Sequence, residues 1–543
     1  MKTAADSPET PQIVQRTVCA MQWWIHAGRA RVRWITMRFG LLILAGIFAV
    51  NVFSQHVVIS AGKSKPTSNP SPPTQKQIRS LLEDSHALPP EFTSDVILQL
   101  IENGLVRDDR LKIKLLNDAF EKAALAQDDY PERPWGINVE ETPHGLHAIA
   151  SIVTGLNRLS LQTRAVRQVF SMDPQRARKL LDSIPPPRIL PLPCNESWFY
   201  WLEPYYSTLT ISLEKGFSLR EIAGGLRSGY VASMIGKTKS HPELVSTVQL
   251  LVAGSFTDQE LHELVPAFVS SIRNLDGDPQ TFAIAMSDDR LFEGVNKLIS
   301  LLEKRGIDSR SVVQAMRDYL VRDFNEPSCS ELGTSKGSGS ILPDAIIRFN
   351  NGFSAQLTRA NLGLIEAGEL NYEARSHVED STPPRWNSKT YSALLRTLQA
   401  LSPSSDPSDT PKAPAALNVF LTKAQDLLTK LDAWSETNEP EIEFFHQKAM
   451  LLGGLAERTE GTSLHKQVLD RFIMFLQEYP PDQVGAVDWY FYMKKLLHAD
   501  VKLNDAKDDL AAFLDSSEPV LTVYARLGLV LQMTASVPAK QMN

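Results

Sequence analysis

Apolar side chains recur at three- and four-residue spacing along nearly the whole chain, the period of a helix that buries one stripe. Val96, Ile97, Leu100 and Ile101 make one such face, closed by Gly104, the residue favoured just past a helix end. Leu111, Leu115, Ala119 and the pair Ala123/Ala126 make a second face, broadened by Leu116 and Phe120. Its late alanines would let a neighbouring helix come close, so the two segments predict a helical hairpin. The same periodicity predicts helices over 144–157, 160–171, 174–184, 196–215, 218–234, 241–254, 257–274, 289–305 and 308–323. It continues over 387–401, 415–435, 440–459, 462–478, 485–499, 502–515 and 519–534. Many of these begin at Asp, Ser, Thr or Pro, as caps and first turns prefer. No alternating Val/Ile/Thr run is long enough to argue for a sheet. The pattern predicts an all-α fold of stacked helical hairpins.

One apolar run differs. Phe39 to Phe53 (FGLLILAGIFAVNVF) follows the basic stretch RARVRWITMR and precedes Ser54. A positive segment, a short apolar core and a small-x-small site at Val52-Phe53-Ser54 match a signal segment. The run is short of the roughly 20 apolar residues of a spanning helix. Export to a periplasmic or extracellular location is the expectation, with an uncleaved N-terminal membrane anchor as the competing one. Met37 is a possible true start. Residues 55–75 hold a Pro/Ser/Thr stretch, GKSKPTSNPSPPTQ, and 402–414 another, SPSSDPSDTPKAP. Such composition cannot bury enough apolar area to fold and reads as linker. The expected organisation is a leader over 1–54, a linker over 55–75 and an N-terminal helical domain over 76–401, as one or two packed units. A linker over 402–414 and a C-terminal helical-repeat domain over 415–543 complete it.

The last block repeats. QVLDRFIMFLQEYPP (467–481) and DAKDDLAAFLDSSEP (505–519) superpose at an offset of 38, placing Phe475 on Phe513, Leu476 on Leu514 and Pro481 on Pro519. Each copy follows a partner helix, and paired helices at such a period belong to hairpin arrays. The block resembles tetratricopeptide-like repeats, an α-solenoid plan, although the Trp-Leu-Gly-Tyr pattern of the first helix is absent. The segments LIENGLVRDDRLKIKLLNDAFEKAALAQDDYPERP (100–134) and MDPQRARKLLDSIPPPRILPLPCNESWFYWLEPYYSTL (172–209) resemble uncharacterised secreted all-helical proteins of bacteria. That resemblance implies export and helicity and brings no site with it.

Charge and cysteines change the picture only slightly. Residues 1–54 carry six Lys/Arg against Asp6 and Glu9, so their removal takes the formal net charge from −7 to −11. An acidic chain without a basic stripe repels a nucleic-acid backbone, and no nucleic-acid partner is expected. Cys19 falls in the leader, leaving Cys194 and Cys329, which either form a disulfide in an oxidising compartment or remain separate thiols.

The candidate chemistry is sparse. Gly236-Lys237-Thr238 has the end of a phosphate loop, but Val231 stands where a glycine is required and the preceding segment reads as helix. Glu83/His86, Glu141/His144 and Glu443/His446 share the Glu-x-x-His spacing of bundle metal sites. His144 and His147, with Glu141, form the densest set of possible metal ligands, against an ordinary helix-start role. No Gly-x-Ser-x-Gly elbow accompanies a strand, so serine-hydrolase chemistry is not expected. The aromatic groups Trp198, Trp201 and Tyr205, and Trp489, Tyr490 and Tyr492, are candidate contact surfaces, with core packing as the alternative. Spaced as on one helix, Trp198, Leu202 and Tyr205 would share a face. The expectation is an exported helical scaffold that binds a protein or peptide without catalysis or cofactor. The competing expectations are a helical enzyme acting on envelope or extracellular polymers, with Glu140, Glu141 and His144 as candidate groups, and a membrane-tethered structural protein.

Overall fold

The computed structural model describes residues 73–134, 143–187, 189, 191–192, 198–275, 279–326, 341–370, 388–401, 414–435, 441–501, 513–514 and 516–535. The leader with its apolar run, most of both predicted linkers, Cys194, Cys329, Glu140, Glu141 and most of the second repeat copy lie outside these residues. Among the described residues no helix is long and apolar enough to cross a membrane.

The fold is all-α. Helices α1 (Gln75–Ser85), α2 (Pro90–Glu102) and α3 (Asp109–Ala123) open it. Thr74 and Gln77 form a capping box at the start of α1, and Asp108 accepts a hydrogen bond from the Leu111 amide to start α3. At the end of α2, Gly104 takes φ +70°, and the Gly104 and Leu105 amides donate back to Ile101 and Leu100. This is the left-handed cap that glycine makes without Cβ strain, as its position predicts. After α3 come strand β1 (Glu132–Pro134), α4 (Pro143–Thr154), α5 (Arg158–Phe170), α6 (Pro174–Ser183) and strand β2 (Trp198–Tyr200). Then follow α7 (Glu203–Lys215), α8 (Leu219–Ala223), α9 (Leu226–Ile235), α10 (His241–Ala253), α11 (Asp258–Arg273) and α12 (Pro279–Ser287). The middle of the chain ends with α13 (Asp289–Lys304), α14 (Arg310–Asn325) and α15 (Ile341–Arg359). The last group is α16 (Lys389–Gln399), α17 (Pro414–Ala433), α18 (Glu441–Thr459), α19 (His465–Glu478), α20 (Pro481–Val484), α21 (Ala486–Val501) and α22 (Pro519–Ala535).

Helices pack in sequence. α3, α5, α7, α10, α13 and α15 contact one another in that order, while α9, α11 and α14 make a second series. α10 and α13 approach so closely that a Cβ on Gly294 would lie 2.5 Å from Val248 Cγ1. The C-terminal group does not stand apart. α21 packs on α4 and α18, and Ser71–Thr534 forms one compact unit. Its central tie is Asp95 on α2, only 2% exposed, which accepts from Arg164 Nη1 at 2.7 Å, Tyr490 at 3.0 Å, Tyr524 at 2.7 Å and Gln99 Nε2 at 2.6 Å. Asp84 on α1 pairs with Arg526 on α22.

Two predicted helices differ from what is observed. The segment 218–234 splits into α8 and α9 because Gly224-Gly225 interrupts it. Within the segment 196–215, Trp198–Tyr200 form β2 and the chain becomes helical only from Glu203, where Pro204 occupies the first turn. Three residues paired to three make a ribbon too short for a sequence signal of alternation.

Candidate functional site

The ribbon organises the chemistry. β1 and β2 pair antiparallel, with Glu132 opposite Tyr200, Arg133 opposite Phe199 and Pro134 opposite Trp198. The Trp201 amide extends it by donating to Pro131 O at 2.7 Å, and the Glu132 amide donates to Ser151 Oγ on α4 at 3.2 Å. Strand alternation sends the Glu132–Tyr200 and Arg133–Phe199 pairs to opposite faces.

On the Glu132 side lies a chain of titratable groups from three helices. His147 Nδ1 on α4 is 2.8 Å from Asp488 Oδ2 on α21, and His147 Nε2 is 3.7 Å from Glu132 Oε2. Asp488 Oδ1 in turn lies 3.7 Å from Nε2 of His446 on α18, whose Nδ1 is 3.1 Å from the Tyr492 hydroxyl. Burial would depress the His147 pKa, but Asp488, Glu132 and Asp128 raise it to about 9. Burial wins at His446, which is held below the ordinary histidine value and stays neutral. Asp128 is raised by burial and then by Asp488 and Asp129, with His147 opposing. Glu91 is likewise raised by burial.

On the opposite side is a small surface pocket of about 30 Å³, lined by Arg133, Phe199, Trp201, Ser246, Ile284 and Arg290 among others. Arg290 is satisfied: its Nε and Nη2 donate to Asp288 at 3.0 and 2.7 Å, and Nη1 lies 3.5 Å from Glu203. Arg133, exposed at the rim, makes no ion pair among the described residues. Desolvation, and then the like charge of Arg290, lower its pKa. Trp201 Nε1 is buried with no hydrogen-bond partner. Asp288 lines the same pocket, and the buried, unmet Trp201 donor carries a cost of about 1–3 kcal/mol.

The sequence candidates scatter. His147 is brought to carboxylates, but to Asp488 and Glu132, while the side chain of His144 and all of Glu141 lie outside the described residues. Among the described residues no group of three or more His, Cys, Asp or Glu side chains is arranged to hold a metal ion. Trp198 does not share a helical face with Leu202 and Tyr205, because it stands in β2. Tyr205 is buried in α7, and Trp201 lines the pocket. The second aromatic group is no contact surface. Trp489, Tyr490 and Tyr492 are core residues, their polar atoms bonded to Leu476 O, Asp95 and His446 O. Gly236 caps α9 and Thr238 meets Thr247 at 2.9 Å, so helix and not strand precedes Gly236-Lys237-Thr238.

Sequence reasoning missed Asp95, Glu132, Arg133 and Asp488. Asp95 had a signal, a charge set beside Phe92, Val96 and Ile97 on an apolar stripe. Arg133 had none, because its place depends on a ribbon partner 66 residues away. No protein-family model, curated protein or solved structure matches this chain.

Proposed function

We propose that this protein is an exported, non-catalytic helical scaffold that binds a protein or peptide partner, its hairpins stacked as a tetratricopeptide-like array. Two helix series packed in chain order support the array, since each repeat of a solenoid touches its neighbours in sequence. The single observation that carries the binding reading is the ribbon pocket, where Arg133, Ser246, Asp288 and Arg290 meet the apolar side chains of Phe199 and Ile284. A few polar groups set beside apolar walls are what a recognition site requires.

The enzyme reading draws on Glu132 and Asp488 flanking His147. It is weaker on physical grounds. A general base needs a pKa near the operating pH and a nitrogen open to substrate. Both His147 nitrogens face carboxylates, and its pKa is pushed to about 9.

Photocrosslinking tests the scaffold. Benzoylphenylalanine at Ile189, on the pocket wall, should give one discrete protein adduct in intact cells. The same group at Met474, an exposed position on α19, should give none. Equal patterns from both positions would remove the proposal.

A further inference from the structure

We draw no further inference here: the strongest candidate, the buried His147–Asp488–His446 chain that joins α4, α21 and α18, belongs to the site already described, and beyond its titration nothing among the described residues points to a ligand or a moving element there.

Discussion

Burial by itself would keep His147 neutral, yet Asp488, Glu132 and Asp128 raise its pKa to about 9, while His446 across Asp488 stays neutral. A histidine raised on folding lends stability that is complete below its unfolded value near 6.5 and fades as pH rises through the folded value. Urea midpoints of the wild-type chain and His147→Gln should thus differ most near pH 6, by up to about 3 kcal/mol, and converge near pH 10. A difference that grows with pH would reverse the sign and refute the pairing. Asp95 behaves oppositely. Burial would raise its pKa, but Arg164, Tyr524 and Lys494 hold it below the usual carboxylate value, so its contribution is present above about pH 4 and lost on acidification. Asp95→Ala strands Arg164 and two tyrosine hydroxyls in the interior, and a loss of about 3–5 kcal/mol is expected from chemical denaturation. A loss below about 1 kcal/mol would mean that water or Glu102 replaces the carboxylate.

Between helices, contact distance decides the outcome. A methyl on Gly294 would collide with Val248 Cγ1 at 2.5 Å and Gln249 Nε2 at 2.7 Å across the α10–α13 contact. Gly294→Ala should therefore lower stability by about 1–3 kcal/mol in a thermal melt. Gly528 in α22 has nothing within 4 Å of such a methyl, and Gly528→Ala should raise stability by about 0.5–1 kcal/mol. Equal effects at the two sites would contradict the packing. Helices were legible in the chain where one apolar stripe ran between a cap and a stop, as in α2, α3, α11 and α13. Positions 198–200 were not, because aromatic residues leading into Glu203-Pro204 fit a helix start as well as a strand, and only the partner at 132–134 decides. The site inherits that limit. Trp201 stood out as an aromatic, but its unmet N–H and the nearness of Arg133 are properties of the folded ribbon.

Helix α2 meets α21 and α22 across most of the described sequence. Phe92 on α2 sits edge-on to Trp489, Tyr490 and Tyr524, and Asp95 collects hydroxyls from α21 and α22. Removing residues 415–543 would uncover that surface. The remaining chain should melt at a lower temperature and bind an apolar dye, where an independent 76–401 domain would melt unchanged. In the same region α4 packs against both β1 and α21. The most direct measurement combines the Ile189 photocrosslinker with Arg133→Gln in intact cells. The discrete adduct formed by the wild-type chain should fall about tenfold or vanish in the variant. An adduct of the same size and yield in both chains would show that recognition does not pass through the pocket.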